Sequence, residues 1–204
     1  MNNSSQKLAA WVSRIVFGIL FAVTLGMIVW DAVAMNPNPG DVAVTAALLA
    51  VPLLLIFFAL DVLVESIEQK VMTDHLSPRL AGVLRWTPRI GVLIFAAFMS
   101  LFALDVFGQG SSLWETTIGL MMHLIPTALL LVVLLVAWRW PWIGGIAFLL
   151  VAGLFVWQFG GGWGGEWSLY LLFVGTPTLM GALFLANWWL RDDIGTSDTG
   201  IGAT

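Results

Sequence analysis

The sequence predicts an all-α membrane protein, with six transmembrane helices laid out as three parallel in-out-in hairpins. Three observations predict it. Hydrophobic residues make up 60% of the 204 positions and charged residues 10%. A soluble domain has roughly 45–50% and about 25%, so too little polar surface is present here to cover a water-soluble core. Six stretches approach the length of about 20 apolar residues that a membrane helix needs. All 8 Lys and Arg residues fall on one side of a six-span arrangement. The same composition excludes disorder, the absence of cysteine excludes a disulfide scaffold, and a net charge of −4 lacks the basic footprint of a nucleic-acid binder.

The apolar stretches run from Ala10 to Ala34, Val42 to Val64, Ile90 to Phe107, Trp114 to Trp138, Ile143 to Phe159 and Ser168 to Leu190. They divide the chain into an N-terminal segment 1–9, a first hairpin 10–64, a loop 65–88, a second hairpin 89–138, a third hairpin 139–190 and a polar, glycine-rich tail 191–204 expected to be disordered. The first stretch is longer than a signal h-region and lacks a clear small-residue cleavage pattern, so it is expected to be retained. Three connections contain no Lys or Arg: Met35 to Gly40, Gly108 to Ser112, and Gly160 to Trp167. Their proline, asparagine and glycine content marks them as turns. Lys7, Arg14, Lys70, Arg79, Arg85, Arg89, Arg139 and Arg191 lie at the opposite ends of the spans. The positive-inside rule makes that side cytoplasmic, with both termini there, in the inner (cytoplasmic) membrane of a cell. A five- or seven-span arrangement breaks this segregation. The 12 tryptophans divide between the two ends of the spans, as expected of rings anchored at headgroup level.

An internal repeat is visible. Trp11-Val12-Ser13-Arg14-Ile15 parallels Trp86-Thr87-Pro88-Arg89-Ile90. Asp31 follows Arg14 by 17 residues and Asp105 follows Arg89 by 16, and a proline follows each aspartate by 21, at Pro52 and Pro126. Arg139 and Pro177 keep the outer spacing, 38 residues, without the aspartate. Topology alone forces an inner Arg and an outer polar residue. It does not force the prolines. Because every hairpin starts inside, the repeats are expected to be parallel about an axis along the membrane normal.

Ionisable groups within spans are costly and mark candidate sites. Asp31 and Asp105 lie in the last turns of outward helices, where a negative charge opposes the macrodipole by about 0.3–1 kcal/mol. They read either as interfacial carboxylates bonded to a hydroxyl such as Thr45 or Thr116, or as a cation or proton site at the outer mouth. Asp61 belongs with Glu65 and Glu68 at the inner surface. His123 is the deepest, about 13 Å along its helix at 1.5 Å per residue, and is expected to face other helices. It reads as a neutral, hydrogen-bonded histidine, as part of a proton path, or as a single axial ligand to a haem or other tetrapyrrole. Pro52, Pro126 and Pro177 each free a mid-helix carbonyl, to be satisfied by neighbouring helices or by hydroxyls, and Thr127, Thr176 and Thr178 flank Pro126 and Pro177. Gly18, Ala22 and Gly26 form a small-residue stripe suited to close helix association, either with another membrane subunit or with a second copy. No phosphate-binding loop with a lysine, no HExxH and no cysteine metal site is present.

The pieces Phe102-Ala103-Leu104-Asp105-Val106-Phe107, His123-Leu124-Ile125-Pro126-Thr127, Trp138-Arg139-Trp140 with Ile143-Gly144-Gly145, and Pro177 with Gly181 and Phe184 resemble an uncharacterised prokaryotic family of small four-helix membrane proteins. The resemblance covers Arg89 to Leu190. It implies an integral membrane protein and carries over no activity and no site residue. The first two helices are an added hairpin relative to that pattern.

The functional expectation is a non-enzymatic membrane protein, with no resident cofactor or metal, that serves as a structural or accessory subunit or interaction scaffold in the lipid bilayer. A small carrier or channel, with its path near His123 and the mid-helix prolines, is the alternative. A pigment- or haem-binding subunit through His123 is a third reading.

Overall fold

The computed structural model describes residues 3–35, 38–108, 112–159 and 167–194. Its elements are α1 (Asn3–Met35), α2 (Pro39–Thr73), α3 (Pro78–Leu101) with a 3₁₀ continuation (Phe102–Gly108), α4 (Leu113–Arg139), α5 (Pro141–Phe159), α6 (Trp167–Tyr170), a π-helical turn (Leu171–Gly175) and α7 (Thr176–Trp189). Residues 191–194 add one further helical turn, and the described residues contain no strand. Five of these segments are long and apolar enough to cross a membrane: Trp11–Ala34, Pro39–Thr73, Pro78–Leu104, Leu113–Arg139 and Leu171–Trp189. The apolar part of α5, Pro141–Trp157, is shorter, at about 26 Å by helical rise.

The sequence explains where the helices start and stop. Asn38 caps α2 by accepting from the Gly40 N–H at 3.1 Å, with Pro39 in the first turn. Ser112 and Glu115 form a reciprocal capping box at the start of α4. At the far end of α2, Asp74 takes the left-handed conformation (φ 60°) and its N–H bonds the Lys70 carbonyl. This corrects the expected loop 65–88. Helix α2 continues to Thr73 and α3 begins at Pro78, so only Asp74 to Ser77 connect them. Glu65 to Lys70 are mostly good helix formers, and proline is well suited to a first turn. The connections around Asn36, Gln109 and Gly161, and the tail beyond Ile194, lie outside the described residues.

The helices pack in neighbouring pairs. α1 lies on α2, α3 on α4, and α5 on α7, and the last contact is the most extensive. Its cause is a backbone-to-backbone approach. A Cβ on Gly181 would stand 2.9 Å from the Gly145 carbonyl oxygen, and one on Gly145 would stand 3.0 Å from the Gly181 carbonyl oxygen. Helices α2, α3, α4, α5 and α7 close around one apolar core that includes Leu84, Phe95, Leu130, Phe148, Met180 and Phe184. The Phe148 and Phe184 rings stack at 5.6 Å. Helix α1 touches the bundle chiefly along α2 and is almost unburied.

Candidate functional site

The polar residues gather at the cation-rich end. Arg14 on α1 reaches α2, where its guanidinium lies 3.0 Å from Glu65 and 3.6 Å from Asp61. Ser13 adds a hydrogen bond from its hydroxyl to Asp61 at 3.2 Å. Asp61 and Glu65 lie one turn apart on α2 and meet the consecutive α1 residues Ser13 and Arg14, so four residues clamp a peripheral helix that has little apolar burial to hold it. Asp61 therefore bridges two helices at this end, more specifically placed than a surface carboxylate. Lys70 bridges to Asp193 at 3.0 Å and ties α2 to the turn after α7.

Between α1, α2 and the start of α3 the same end opens into a cleft of about 460 Å³. Arg14, Asp61, Glu65, Ser77 and Arg79 supply its polar wall. Arg79 is exposed and has no ion-pair partner among the described residues.

A second polar contact lies inside the bundle. Pro88 has no N–H, so the carbonyl of Leu84, four residues earlier, has no helical donor. The side-chain amide of Asn187 on α7 donates to it at 2.6 Å, and also to the Leu183 carbonyl of its own helix at 3.1 Å. One turn along α3, Arg89 is buried, turned back to the Arg85 carbonyl and placed 5.7 Å from the centre of the Trp138 ring. Trp138 in turn meets Trp86 edge to face. The sequence reading missed Asn187. The signal was present: an amide side chain inside an apolar span, and a proline inside α3 that demanded a donor.

Among the described side chains, the expected site residues do not meet. Asp31 is half-buried and has no partner among the described residues, so the expected bond to Thr45 is not made. Asp105 lies in the 3₁₀ segment, and its side chain is outside the described residues. His123 corrects the expectation that it faces other helices. It is exposed, and Nδ1 donates to the Gly119 carbonyl of its own helix at 2.8 Å. Helical spacing sets it in line with Thr127, Leu130 and Leu134, which are buried, yet no described residue of α4 before Thr127 is buried. The half of α4 that carries His123 meets the 3₁₀ segment, where Val106 lies against Gly119, and His123 itself stays exposed.

Pro52 and Pro177 are buried, and Pro126 borders a surface groove of about 360 Å³ between α4 and α5. The threonines do not satisfy the freed carbonyls. The Thr127 and Thr176 hydroxyls are buried without partners, and Thr178 donates to Val174 at 2.6 Å. At Pro177 the chain relieves the lost donor by widening into the π-helical turn just before it. Gly18, Ala22 and Gly26 are exposed, and nothing lies within 4 Å of a Cβ placed on either glycine. No group of three His, Asp or Glu side chains able to hold a metal ion occurs among the described residues.

An all-helical membrane protein is the class that these helices define. The chain belongs to the family of a domain of unknown function, DUF7670, which matches residues 76–195 and so takes in α3 to α7. No curated protein and no solved structure matches it.

Proposed function

We propose that the chain is a non-enzymatic, six-span subunit of a membrane assembly in prokaryotes, with both termini cytoplasmic, and that the outer half of α4 is where it meets its partner. One observation carries this reading: His123 is exposed on a helix that crosses the bilayer. About 13 Å into the helix by its rise, its imidazole sits at hydrocarbon depth. Nδ1 is satisfied by Gly119, while Nε2 has no partner among the described residues. A polar nitrogen left in hydrocarbon is costly, and a protein surface that supplies a donor removes the cost. The flanking Met122 and Ile125 are 67% and 63% exposed, so the patch offers apolar area around one polar point. The open stripe of Gly18, Ala22 and Gly26 offers a second close-approach face on α1.

The experiment places a photoreactive residue at Met122 in the full-length protein and irradiates native membranes. The expected result is one discrete protein adduct, retained by His123→Gln and lost with His123→Leu, because glutamine keeps a donor and an acceptor. Adducts to lipid alone, together with a monomeric purified protein, refute the reading. A visible absorption band in the same sample, lost in His123→Gln, supports the tetrapyrrole alternative instead.

A further inference from the structure

The cleft at the cation-rich end does not stand alone. Two apolar grooves leave it toward the middle of the spans. One, about 190 Å³, runs between α1 and α2 and is lined by Phe17, Phe21, Leu54 and Phe57. The other, about 270 Å³, runs between α2 and α3 and is lined by Leu55, Trp86, Ile90 and Ile94. Phe58 lines the cleft and both grooves, Arg14 and Asp61 are shared with the first groove, and Val83 with the second. A polar chamber therefore opens into two apolar channels separated by α2, which is the outline of a molecule with one headgroup and two chains.

The charges name the headgroup. Arg14, Arg79, Asp61 and Glu65 line the cleft together, two cations and two anions. Arg14 is already held by both carboxylates, which leaves Arg79 as the open cation. Beside it Ser77, the residue preceding α3, makes no capping bond with its side chain. The Ser77 N–H is taken by the Gln69 side-chain carbonyl at 2.8 Å and Pro78 has none, so the amides of Arg79 and Leu80 are the ones without an acceptor inside the helix, and such amides favour an anion. An anionic centre is thus received at the start of α3. The carboxylates of Asp61 and Glu65, 15% and 27% exposed, have acceptor capacity left beyond Arg14. They suit a donor cation, and a primary ammonium brings three N–H groups where a quaternary one brings none.

We propose that this cleft holds one diacyl phospholipid with a zwitterionic primary-ammonium headgroup. Its phosphate lies toward Arg79 and Ser77, its ammonium toward Glu65 and Asp61, and the first part of one chain enters each groove. A headgroup with net negative charge would add a third anion beside two carboxylates. The level is also right: Trp86, which lines the second groove and is 51% exposed, is the kind of ring that sits at the headgroup boundary. The site needs only the membrane setting and does not depend on a protein partner at α4.

The test is native mass spectrometry of the full chain released from nanodiscs that contain equal parts phosphatidylethanolamine, phosphatidylcholine and phosphatidylglycerol with identical acyl chains. One phosphatidylethanolamine per chain is expected, preferred about tenfold over the other two, as one charge-assisted contact supports. Arg79→Gln, at an exposed residue outside the core, should lower retention about tenfold while leaving the thermal transition unchanged. A phosphatidylethanolamine with a photoreactive acyl chain should label peptides containing both Phe21 and Ile94. Soluble glycerophosphoethanolamine should fail to displace the lipid, since it has no chains for the grooves. Equal retention of the three lipids, indifference to Arg79→Gln, absence of labelling in both grooves, or displacement by the soluble headgroup overturns the proposal.

Discussion

Asn187 is expected to be worth its hydrogen bond only because Pro88 exists. The Leu84 carbonyl is fully buried, lacks its helical donor, and receives the Asn187 amide at 2.6 Å. Replacing Asn187 by leucine removes that donor and leaves the acceptor stranded. Interhelical side-chain hydrogen bonds in membranes average about 0.6 kcal/mol, with a maximum near 1.7, and a stranded buried acceptor costs about 1–3 kcal/mol. The short distance and the 6% exposure of Asn187 favour the overlap of those ranges, a loss of about 1.5 kcal/mol. Pro88→Ala supplies a backbone N–H four residues after Leu84 and makes the amide redundant. In that background Asn187→Leu should cost less than about 0.5 kcal/mol, leaving a coupling of about 1 kcal/mol in the cycle. Reversible unfolding of the four proteins in bicelles measures all terms. A loss of the same size with and without Pro88, or no loss in the parent, refutes the reasoning.

Gly181→Ala should destabilise by about 1–3 kcal/mol, because its Cβ meets a backbone oxygen that has no rotamer to yield. Gly153→Ala, with nothing within 4 Å of the new Cβ, should be neutral or should stabilise by up to about 1 kcal/mol, and thermal denaturation in detergent separates the two. Thr176→Val should be neutral or should stabilise by about 1 kcal/mol, since it removes a hydroxyl that is fully buried and unpartnered; a loss above that size would reveal a bond partner. With both termini cytoplasmic, a cysteine at Asn38 should label from outside intact cells and one at Thr73 should not, and the reverse pattern would invert the orientation.

The helices and the sorting of cations to one end were legible because they depend on composition along the chain. Facing was legible only where a helix is two-sided. On α3 the buried positions recur every three or four residues from Leu80 through Leu84, Pro88 and Phe95 to Met99, with polar or exposed residues between. Helix α4 is apolar all round, so its pattern carries no facing signal. Spacing from Thr127 even points His123 inward, yet the 3₁₀ segment that meets this half of α4 at Gly119 does not cover it. Asn187 and Pro88 each left a signal, but their pairing was illegible for a different reason. The need was local, since Pro88 strands the Leu84 carbonyl, while the donor comes from a residue 103 positions away. Only the neighbourhood of α3 and α7 joins the two. Asp61 stood beside Glu65 in the sequence, yet its link to Arg14 required knowing that α1 lies along α2.

That last link bears on where the lipid cleft comes from. Residues 76–195 match the family, and they contribute Ser77 and Arg79, the anion-receiving side of the cleft. Arg14, Asp61, Glu65 and Phe58 come from the hairpin that precedes the matched region. Neither half encloses the cleft alone. The family bundle by itself leaves the start of α3 uncovered on the α2 side, and the hairpin by itself lines the cleft with carboxylates already paired to Arg14, its one cation there. The Arg14 clamp then has two roles. It fastens a helix with little apolar burial, and it sets two carboxylates at the height of Arg79, so that attaching the hairpin and forming a zwitterionic chamber are one event. It follows that Arg14→Gln should loosen α1 and weaken lipid retention together, whereas Arg79→Gln should affect the lipid alone.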